Sequence, residues 1–208
     1  MKPEIIKRIL SSFVLIPIAL FFIIKGSFFF TFFIATCFLI TLYEWHMMSK
    51  KKSYNIFGHL FLLFSFICTY LVYNLEAGLN VFLEILLVCI STDIGGYIFG
   101  KVLKGPKLIK ISPNKTYAGV FGGYLLSIIF LSSYSNYQGN NFELENLVLV
   151  ITISSISQIG DIIISYFKRL SKIKNTGKLI PGHGGILDRI DGMIFAFPFY
   201  YILHFIIF

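Results

Sequence analysis

Residues 28–47 read FFFTFFIATCFLITLYEWHM, an almost uninterrupted apolar run of twenty residues. A helix of roughly this length crosses the ~30 Å hydrocarbon core of a bilayer. The whole chain has the same character, because 56% of its 208 residues are hydrophobic, 24 are Phe and only 13% are charged. Its mean hydropathy is +0.80. This composition excludes an ordinary soluble domain and predicts an all-α integral membrane protein.

The hydropathy pattern predicts about seven transmembrane helices. The candidate spans are Ile9–Ile24, Phe28–Met47, Ile56–Asn74, Val81–Gly100, Gly119–Ser135, Leu147–Ser165 and Ile190–Phe208. Residues 1–80 then form an N-terminal region of about three helices with roles in packing and lipid contact. Residues 81–208 form a catalytic region with two basic loops, 101–118 and 166–189.

The distribution of basic residues predicts the orientation. If the N-terminus is cytoplasmic, 17 of the 18 Lys and Arg residues lie on the inner side, and Lys25 alone lies outside. The positive-inside rule therefore predicts a cytoplasmic N-terminus, an external C-terminus and both basic loops on the cytoplasmic face of the inner membrane. The net charge of +8 is confined to loops between spans, so membrane lipids are the expected partner and nucleic acid is not.

All four aspartates of the chain lie where an apolar segment meets a basic loop: Asp93, Asp161, Asp188 and Asp191. A carboxylate at membrane depth costs on the order of 2–4 kcal/mol, so each needs a partner or a cation. Four such groups beside basic loops indicate a metal site that handles phosphorylated substrates at the bilayer surface.

The first candidate segment joins Asp93 to the loop ending in SPNKT, residues Ser112–Thr116, and to glycines at 119, 122 and 123. Gly and Ser allow a backbone to approach a phosphate, and Lys115 can neutralise it. The P-loop pattern is absent. Taken alone, SPNKT is also typical of a helix start with Ser112 or Asn114 near the cap, and the glycines are also typical of helix packing.

The second segment contains Asp161, Ser165, Lys168 and Arg169. Asp161 and Ser165 are four residues apart, so they share a face of a continuous helix. The alternative to a metal role for Asp161 is a structural ion pair with Lys168 or Arg169.

The third segment, KLIPGHGGILDRIDG, covers residues 178–192. Its Pro and Gly residues predict an irregular backbone. Asp188 and Asp191 follow three residues apart, which places them on one face at the start of the last helix. Two such carboxylates repel each other unless a cation lies between them, and oxygen ligands of this kind suit Mg²⁺. For Asp188, the helix dipole alone is an alternative explanation.

These segments together resemble the C-terminal signature of phosphatidate cytidylyltransferases, the CDP-diacylglycerol synthases. The resemblance rests on Ser165-Tyr-Phe-Lys168-Arg169, on His183-Gly-Gly-x-x-Asp188-Arg189-x-Asp191, and on the SPNKT block, in the family's order. It covers about residues 93–208. It implies an integral membrane enzyme that joins phosphatidate to CTP and releases pyrophosphate with Mg²⁺.

The resemblance also implies roles for individual residues. Asp161, Asp188 and Asp191 are expected to hold Mg²⁺ and, with Lys168 and Arg189, to form the catalytic set. Asp93 is expected to add an outer contact or to hold a second cation. The remaining substrate-binding candidates are Ser112, Asn114, Lys115, Thr116, Ser165, Arg169, His183, Gly184 and Gly185. A homodimer is compatible with the sequence.

Three departures from the family pattern leave alternatives open. Ala118 and Asn175 stand where acids are usual, and Ile94 and Gly96 follow Asp93 where a hydroxyl residue and Ala are common. A catalytically weak membrane scaffold is one alternative. A lipid-alcohol kinase or an isoprenoid-lipid cytidylyltransferase would use the same physical chemistry. A transporter is disfavoured, because all four acids lie near one face of the membrane.

Overall fold

A computed structural model describes residues 3–109, 112–180 and 184–207 of the chain. Within these ranges the chain forms eight helices and one two-stranded hairpin. The helices are α1 Pro3–Lys25, α2 Ser27–Ser49, α3 Asn55–Tyr73, α4 Gly78–Val102, α5 Tyr117–Tyr137, α6 Leu144–Leu170, α7 Leu187–Ile190 and α8 Met193–Ile207; the strands are β1 Lys107–Ile109 and β2 Ser112–Thr116.

Five of these helices, α2 to α6, are long and apolar enough to cross a membrane. The described apolar parts of the first and last helices, Phe13–Lys25 and Met193–Ile206, are shorter. Large apolar side chains such as Phe28, Ile56 and Phe121 are more than 70% exposed on the outside of the helices. Because such a surface is stable against lipid and unstable against water, the fold is that of a helical integral membrane protein.

Several helices extend beyond the spans predicted from hydropathy. The span predicted to end at Ser165 continues to Leu170, and the span predicted to end at Gly100 continues to Val102. Hydropathy detects only the apolar part of a helix, whereas its backbone hydrogen bonds continue through polar turns. As a result Asp161 lies more than two turns before the end of α6, and not at the end of the span.

The last predicted span, Ile190–Phe208, is interrupted near its start. Asp188 lies in the single turn of α7, and Asp191 lies in the break before α8 begins at Met193. The Asp191 carboxylate accepts a hydrogen bond from the backbone N–H of Gly192. The prediction that both acids lie at the start of one continuous helix was therefore wrong.

One antiparallel β-hairpin was not predicted from the sequence. Its register pairs Lys107 with Thr116 and Ile109 with Ser112. Strands of three and five residues are too short to show a clear alternation of polar and apolar residues. The SPNKT segment is therefore strand β2, and the cap of α5 is Thr116, whose hydroxyl accepts from the N–H of Gly119 at 3.1 Å.

Glycines allow α4 and α5 to approach each other closely. A methyl group on Gly95 would collide with the carbonyl group of Gly122, and one on Gly119 would lie 2.8 Å from the carbonyl oxygen of Gly96. Small residues at such positions let membrane helices pack backbone against backbone. The packing interpretation of these glycines is confirmed, and the contact brings Asp93 of α4 beside strand β2.

A proline fixes the contact between α3 and α8. Pro198 has no N–H, so it cannot donate to the carbonyl oxygen of Ile194 one turn earlier. The hydroxyl group of Ser65, which is fully buried in α3, donates to that oxygen instead at 2.7 Å. This bond satisfies a carbonyl group that would otherwise be unpaired in an apolar environment.

Candidate active site

A cavity of about 470 Å³ contains most of the residues singled out by the sequence. It lies between α4, the hairpin, the start of α5, α6 and the segment that contains α7. Its lining includes nine of the candidates: Asp93, Ser112, Lys115, Thr116, Asp161, Lys168, Asp188, Arg189 and Asp191. The structure therefore brings residues from three separate sequence segments to one place.

Strand β2 of the hairpin places Lys115 beside Asp161 of α6. The Lys115 ammonium group lies 2.6 Å from the Asp161 carboxylate and 3.4 Å from the carbonyl oxygen of Gln158. The suggested alternative partners of Asp161, Lys168 and Arg169, do not form this pair. Asp161 also accepts a hydrogen bond from the Ser165 hydroxyl group at 3.3 Å, so the prediction that the two share a helix face is confirmed.

Lys168 is held by the other two acids. Its ammonium group lies 2.9 Å from Asp188 Oδ1 and 3.7 Å from Asp191 Oδ2. Asp188 Oδ2 accepts two further bonds, from the backbone N–H groups of Thr176 at 2.8 Å and Gly185 at 3.0 Å. The Lys168 side chain is 10% exposed and that of Asp188 5%, so this is a buried and fully hydrogen-bonded pair.

Two glycines, Gly184 and Gly185, come shortly before Asp188. Gly184 has φ of +96° and exchanges two backbone hydrogen bonds with Ile180. A left-handed backbone of this kind is available mainly to glycine. The next residue, Gly185, donates its N–H to Asp188, so the predicted irregular backbone at these two described residues serves to hold that acid.

Burial raises the pKa of Asp191, which lies in the turn between α7 and α8 and is 7% exposed. The negative charges of Asp161 and Asp93 raise this pKa further, and the positive charges of Lys168 and Lys115 lower it. The three carboxylates thus repel one another across the cavity. A bound cation would relieve that repulsion.

The geometry is compatible with Mg²⁺ but does not itself assemble a metal site. Among the described residues, no three His, Cys, Asp or Glu side chains lie together at the spacing of metal ligands. Carboxylate oxygens are the donors that Mg²⁺ prefers. The oxygens of Asp161 and Asp191 accept fewer protein hydrogen bonds than those of Asp188. The assignment of Asp161, Asp188 and Asp191 as metal ligands stays a prediction.

Other candidates lie beside the cavity or outside the description. Arg169 donates to the carbonyl oxygen of Ile173 at 3.1 Å, and neither Arg169 nor Ser165 belongs to the described lining. His183 and the side chain of Asn114 lie outside the described residues. Asn175, one of the departures from the family pattern, is exposed and lines the cavity.

Sequence reasoning missed one buried acid in the first half of the chain. Glu44 of α2 is 3% exposed and accepts hydrogen bonds from the backbone of Ile186 and Leu187 and from the hydroxyl group of Thr176. An isolated Glu near the end of an apolar run was its only signal. Its partners lie more than 130 residues away, so spacing could not reveal them.

Comparison with known proteins identifies the family of this chain. The family model described as "Cytidylyltransferase family" matches residues 6–77 and 60–207. The chain therefore belongs to the cytidylyltransferase family.

Among named relatives, the chain is similar to the phosphatidate cytidylyltransferase of Rickettsia conorii, with 34% identity over 205 residues that cover 93% of this chain and 88% of the relative. The enzyme of the same name from Rickettsia typhi is 34% identical over 214 residues, which cover 96% and 92%. The one from Staphylococcus epidermidis is 42% identical over 128 residues, 61% of this chain and 49% of the relative. The chain thus spans about half the length of the staphylococcal relatives that it matches.

Proposed function

We propose that this protein transfers the cytidylyl group of CTP to phosphatidate, forming CDP-diacylglycerol and pyrophosphate. The observation that carries the proposal is the single cavity in which four aspartates face Lys115, Lys168 and Arg189. Membership of the cytidylyltransferase family and the names of the relatives support the choice of CTP and phosphatidate.

In the proposed reaction a phosphate oxygen of phosphatidate attacks the α-phosphorus of CTP. A new P–O bond forms there as the bond to the β-phosphate oxygen breaks, and pyrophosphate leaves with that electron pair. The attacking phosphate is already ionised at neutral pH, so no general base is required. Such transfers depend mainly on positioning and on neutralisation of phosphate charge. Lys115, Lys168 and Arg189 would supply that neutralisation.

The two lysines differ in how firmly they are held. Lys115 and Asp161 are 22% and 29% exposed, so water partly screens their ion pair, which therefore contributes on the order of 1 kcal/mol. A substrate phosphate can therefore replace Asp161 as the partner of Lys115 at little cost. Lys168 is buried between Asp188 and Asp191, so it would act as a fixed positive charge.

Mg²⁺ is the proposed cofactor. When bound, it would neutralise phosphate charge and help to align the reacting groups. Asp161, Asp188 and Asp191 would hold it, with Asp188 contributing least because its oxygens already accept three bonds from Lys168, Thr176 and Gly185. Asp93 is exposed and lines the same cavity, which supports a role in an outer contact or a second cation.

The proposed arrangement has seven spans, a cytoplasmic N-terminus and an external C-terminus. α1 and α8 would join the five longer helices as spans. The cavity would then open to the cytoplasm, where CTP is present, and phosphatidate would enter sideways from the membrane. The placement of 17 of 18 Lys and Arg residues on the inner side supports this orientation.

The direct test uses purified protein, labelled CTP, phosphatidate and Mg²⁺, followed by lipid extraction. The label should enter the lipid phase only with phosphatidate, and pyrophosphate should appear in equal amount. Release of CDP with a lipid alcohol would indicate a kinase. Absence of any transfer by folded protein would indicate the scaffold alternative, which the exposed Asn175 in the cavity favours.

A further inference from the structure

The buried carboxylate of Glu44 is hydrogen-bonded by three residues of the segment that leads into α7, namely Thr176, Ile186 and Leu187. It lies in α2, on the helix face that also buries Thr41, Trp45 and Met48. Oε1 accepts from the N–H of Ile186 at 2.9 Å, while Oε2 accepts from the N–H of Leu187 and the hydroxyl group of Thr176, both at 2.9 Å. Burying a carboxylate is costly unless it is hydrogen-bonded in this way.

Two glycines of the loop, Gly177 and Gly185, lie so close to this carboxylate that a side chain at either position would displace it. A methyl group on Gly185 would collide with Glu44 Oε2 and with the hydroxyl group of Thr176. One on Gly177 would lie 2.8 Å from Glu44 Oε1. No positive φ is recorded for either glycine among the described residues. Space around Glu44, and not backbone conformation, therefore requires glycine at both positions.

The end of α2 that presents Glu44 is itself fixed. Trp45 donates from its indole N–H to the carbonyl oxygen of Asn55 at 3.1 Å, and the Asn55 amide donates to the Ser49 hydroxyl group at 2.6 Å. The Trp45 ring packs against Gly58, where a methyl group would collide with it, and against Phe167 of α6. A side chain anchored in this way can hold a loop in place.

The same loop holds the catalytic candidates. Thr176 and Gly185 donate their backbone N–H groups to Asp188, which in turn holds Lys168. We infer that Glu44 is a positioning residue that fixes the described loop residues 176–180 and 184–187 and, through them, the Asp188–Lys168 pair in the cavity. This inference rests on the proposed function for its activity readout, and on loop protection for a readout that is independent of it.

The first experiment compares Glu44→Gln with the control Glu76→Gln. Gln has nearly the same size as Glu, but its NH₂ group must face a donor N–H, so at least one loop bond is lost. Glu76 is exposed in the connection between α3 and α4. Amide hydrogen exchange of the peptide containing Ile186 and Leu187 should be at least tenfold faster in Glu44→Gln than in wild type. The lost loop bond should lower the thermal midpoint slightly, because a buried donor is left unpaired, whereas exchange in α6 should be unchanged.

In the same preparations kcat/KM for CTP should fall at least tenfold in Glu44→Gln and remain unchanged in Glu76→Gln. Wild-type exchange and activity in Glu44→Gln would overturn the inference. So would faster exchange spread evenly over α2, α3 and α6, because that pattern indicates general destabilisation. If wild-type protein transfers no cytidylyl group, the proposed function fails, while the exchange comparison still decides the role of Glu44.

A double-mutant cycle tests the same inference without Glu44→Gln. Gly185→Ala and Glu44→Ala should each lower the protection of the loop at least tenfold. The Glu44→Ala change removes the carboxylate with which the new methyl group would collide, and it frees the Thr176 hydroxyl group, the other close contact, from its bond to Glu44 so that it can turn away. The loop of the double variant should therefore exchange no more than about threefold faster than that of the less protected single variant, because the effects of two residues in direct contact are not independent. If the fold losses of protection in the two single variants multiply in the double variant, the inference is overturned.

Discussion

Lys115 Nζ lies 2.6 Å from Asp161 Oδ2, and this pair joins strand β2 of the hairpin to helix α6. The Lys115–Asp161 pair is partly exposed, whereas the Lys168–Asp188 pair is buried. Buried and exposed ion pairs respond differently to substitution. The two lysines therefore provide contrasting tests of the site.

The first prediction concerns Lys115→Gln. Loss of a charge-assisted bond to a substrate phosphate should cost about 1.5–3 kcal/mol of binding, which is roughly 10–150-fold in KM for CTP. Thermal stability should be nearly unchanged, since the pair with Asp161 is partly exposed. The control is Lys107→Gln, an exposed lysine on the other strand of the same hairpin. An equal effect in both variants would show that only general positive charge matters.

Lys168→Met should behave differently. It removes the partner of Asp188 and Asp191 from a buried site, and an uncompensated buried charge costs about 3–5 kcal/mol. The free energy of unfolding should fall by that amount, and cytidylyl transfer should be abolished. Denaturation in detergent micelles measures the first effect and the CTP assay the second. Full stability in this variant would contradict the buried pair seen in the structure.

Asp191→Asn tests the metal assignment. The change is nearly isosteric and the carboxylate accepts mainly from the N–H of Gly192, so folding should survive. If Asp191 binds Mg²⁺, removing the charged ligand should lower the rate by about 10²–10³. The measurement is cytidylyl transfer against Mg²⁺ concentration in purified variants. Near-normal activity at ordinary Mg²⁺ would remove Asp191 from the ligand set.

Asp188→Asn is the companion variant for the metal test. Asn offers a single acceptor oxygen in place of the two that receive Lys168, Thr176 and Gly185. A buried donor left unpaired costs about 1–3 kcal/mol, so this variant should lose stability as well as activity. A loss of activity without any loss of stability would assign Asp188 mainly to the metal.

Reporter fusions test the proposed orientation. A fusion after Gln138 should report the outside, and fusions after Lys107 or Lys172 should report the cytoplasm. These sites lie in connections between helices, so the fusion should not interrupt a span. A cytoplasmic signal at Gln138 would contradict the seven-span arrangement and the single cytoplasmic face of the site.

A matched pair of glycine substitutions tests the contact between α4 and α5. Gly95→Ala places a methyl group against the carbonyl group of Gly122, whereas the methyl group of Gly96→Ala lies 3.8 Å from the carbonyl oxygen of Gly119, an ordinary contact. Overpacking of this kind costs about 1–3 kcal/mol. Thermal unfolding should show that loss for Gly95→Ala only. Equal stability of the two variants would indicate that the helices can separate slightly.

The sequence predicted the five long apolar helices α2 to α6 well, because long apolar runs carry a strong signal. It located the ends of α4 and α6 less well, since backbone hydrogen bonds continue past the apolar residues through Lys101 and through Lys168. At the break beside Asp191, Gly192 packs against Ser157 of α6, where a methyl group would collide. Such contacts between distant residues have no local signature.

The sequence predicted many of the residues that line the cavity. It did not predict which lysine forms an ion pair with which aspartate. The recurrence of acids beside basic loops identified Asp161, Asp188 and Asp191, and the structure places them in one cavity. Their lysine partners were not predicted, because the partner of Asp161 comes from a hairpin that hydropathy could not detect. Glu44 was missed because its hydrogen-bond partners lie more than 130 residues away in the sequence.

The contact of Glu44 has a consequence for the order in which the protein is made. Glu44 is separated from Ile186 by 142 residues, so α2 must enter the membrane long before the loop that satisfies its carboxylate has been synthesised. Until then the acid must remain close to water or lipid headgroups at the end of its helix. The site can therefore assemble only after the loop has been synthesised, and a chain that stops before Thr176 leaves the Glu44 carboxylate without any of these three partners.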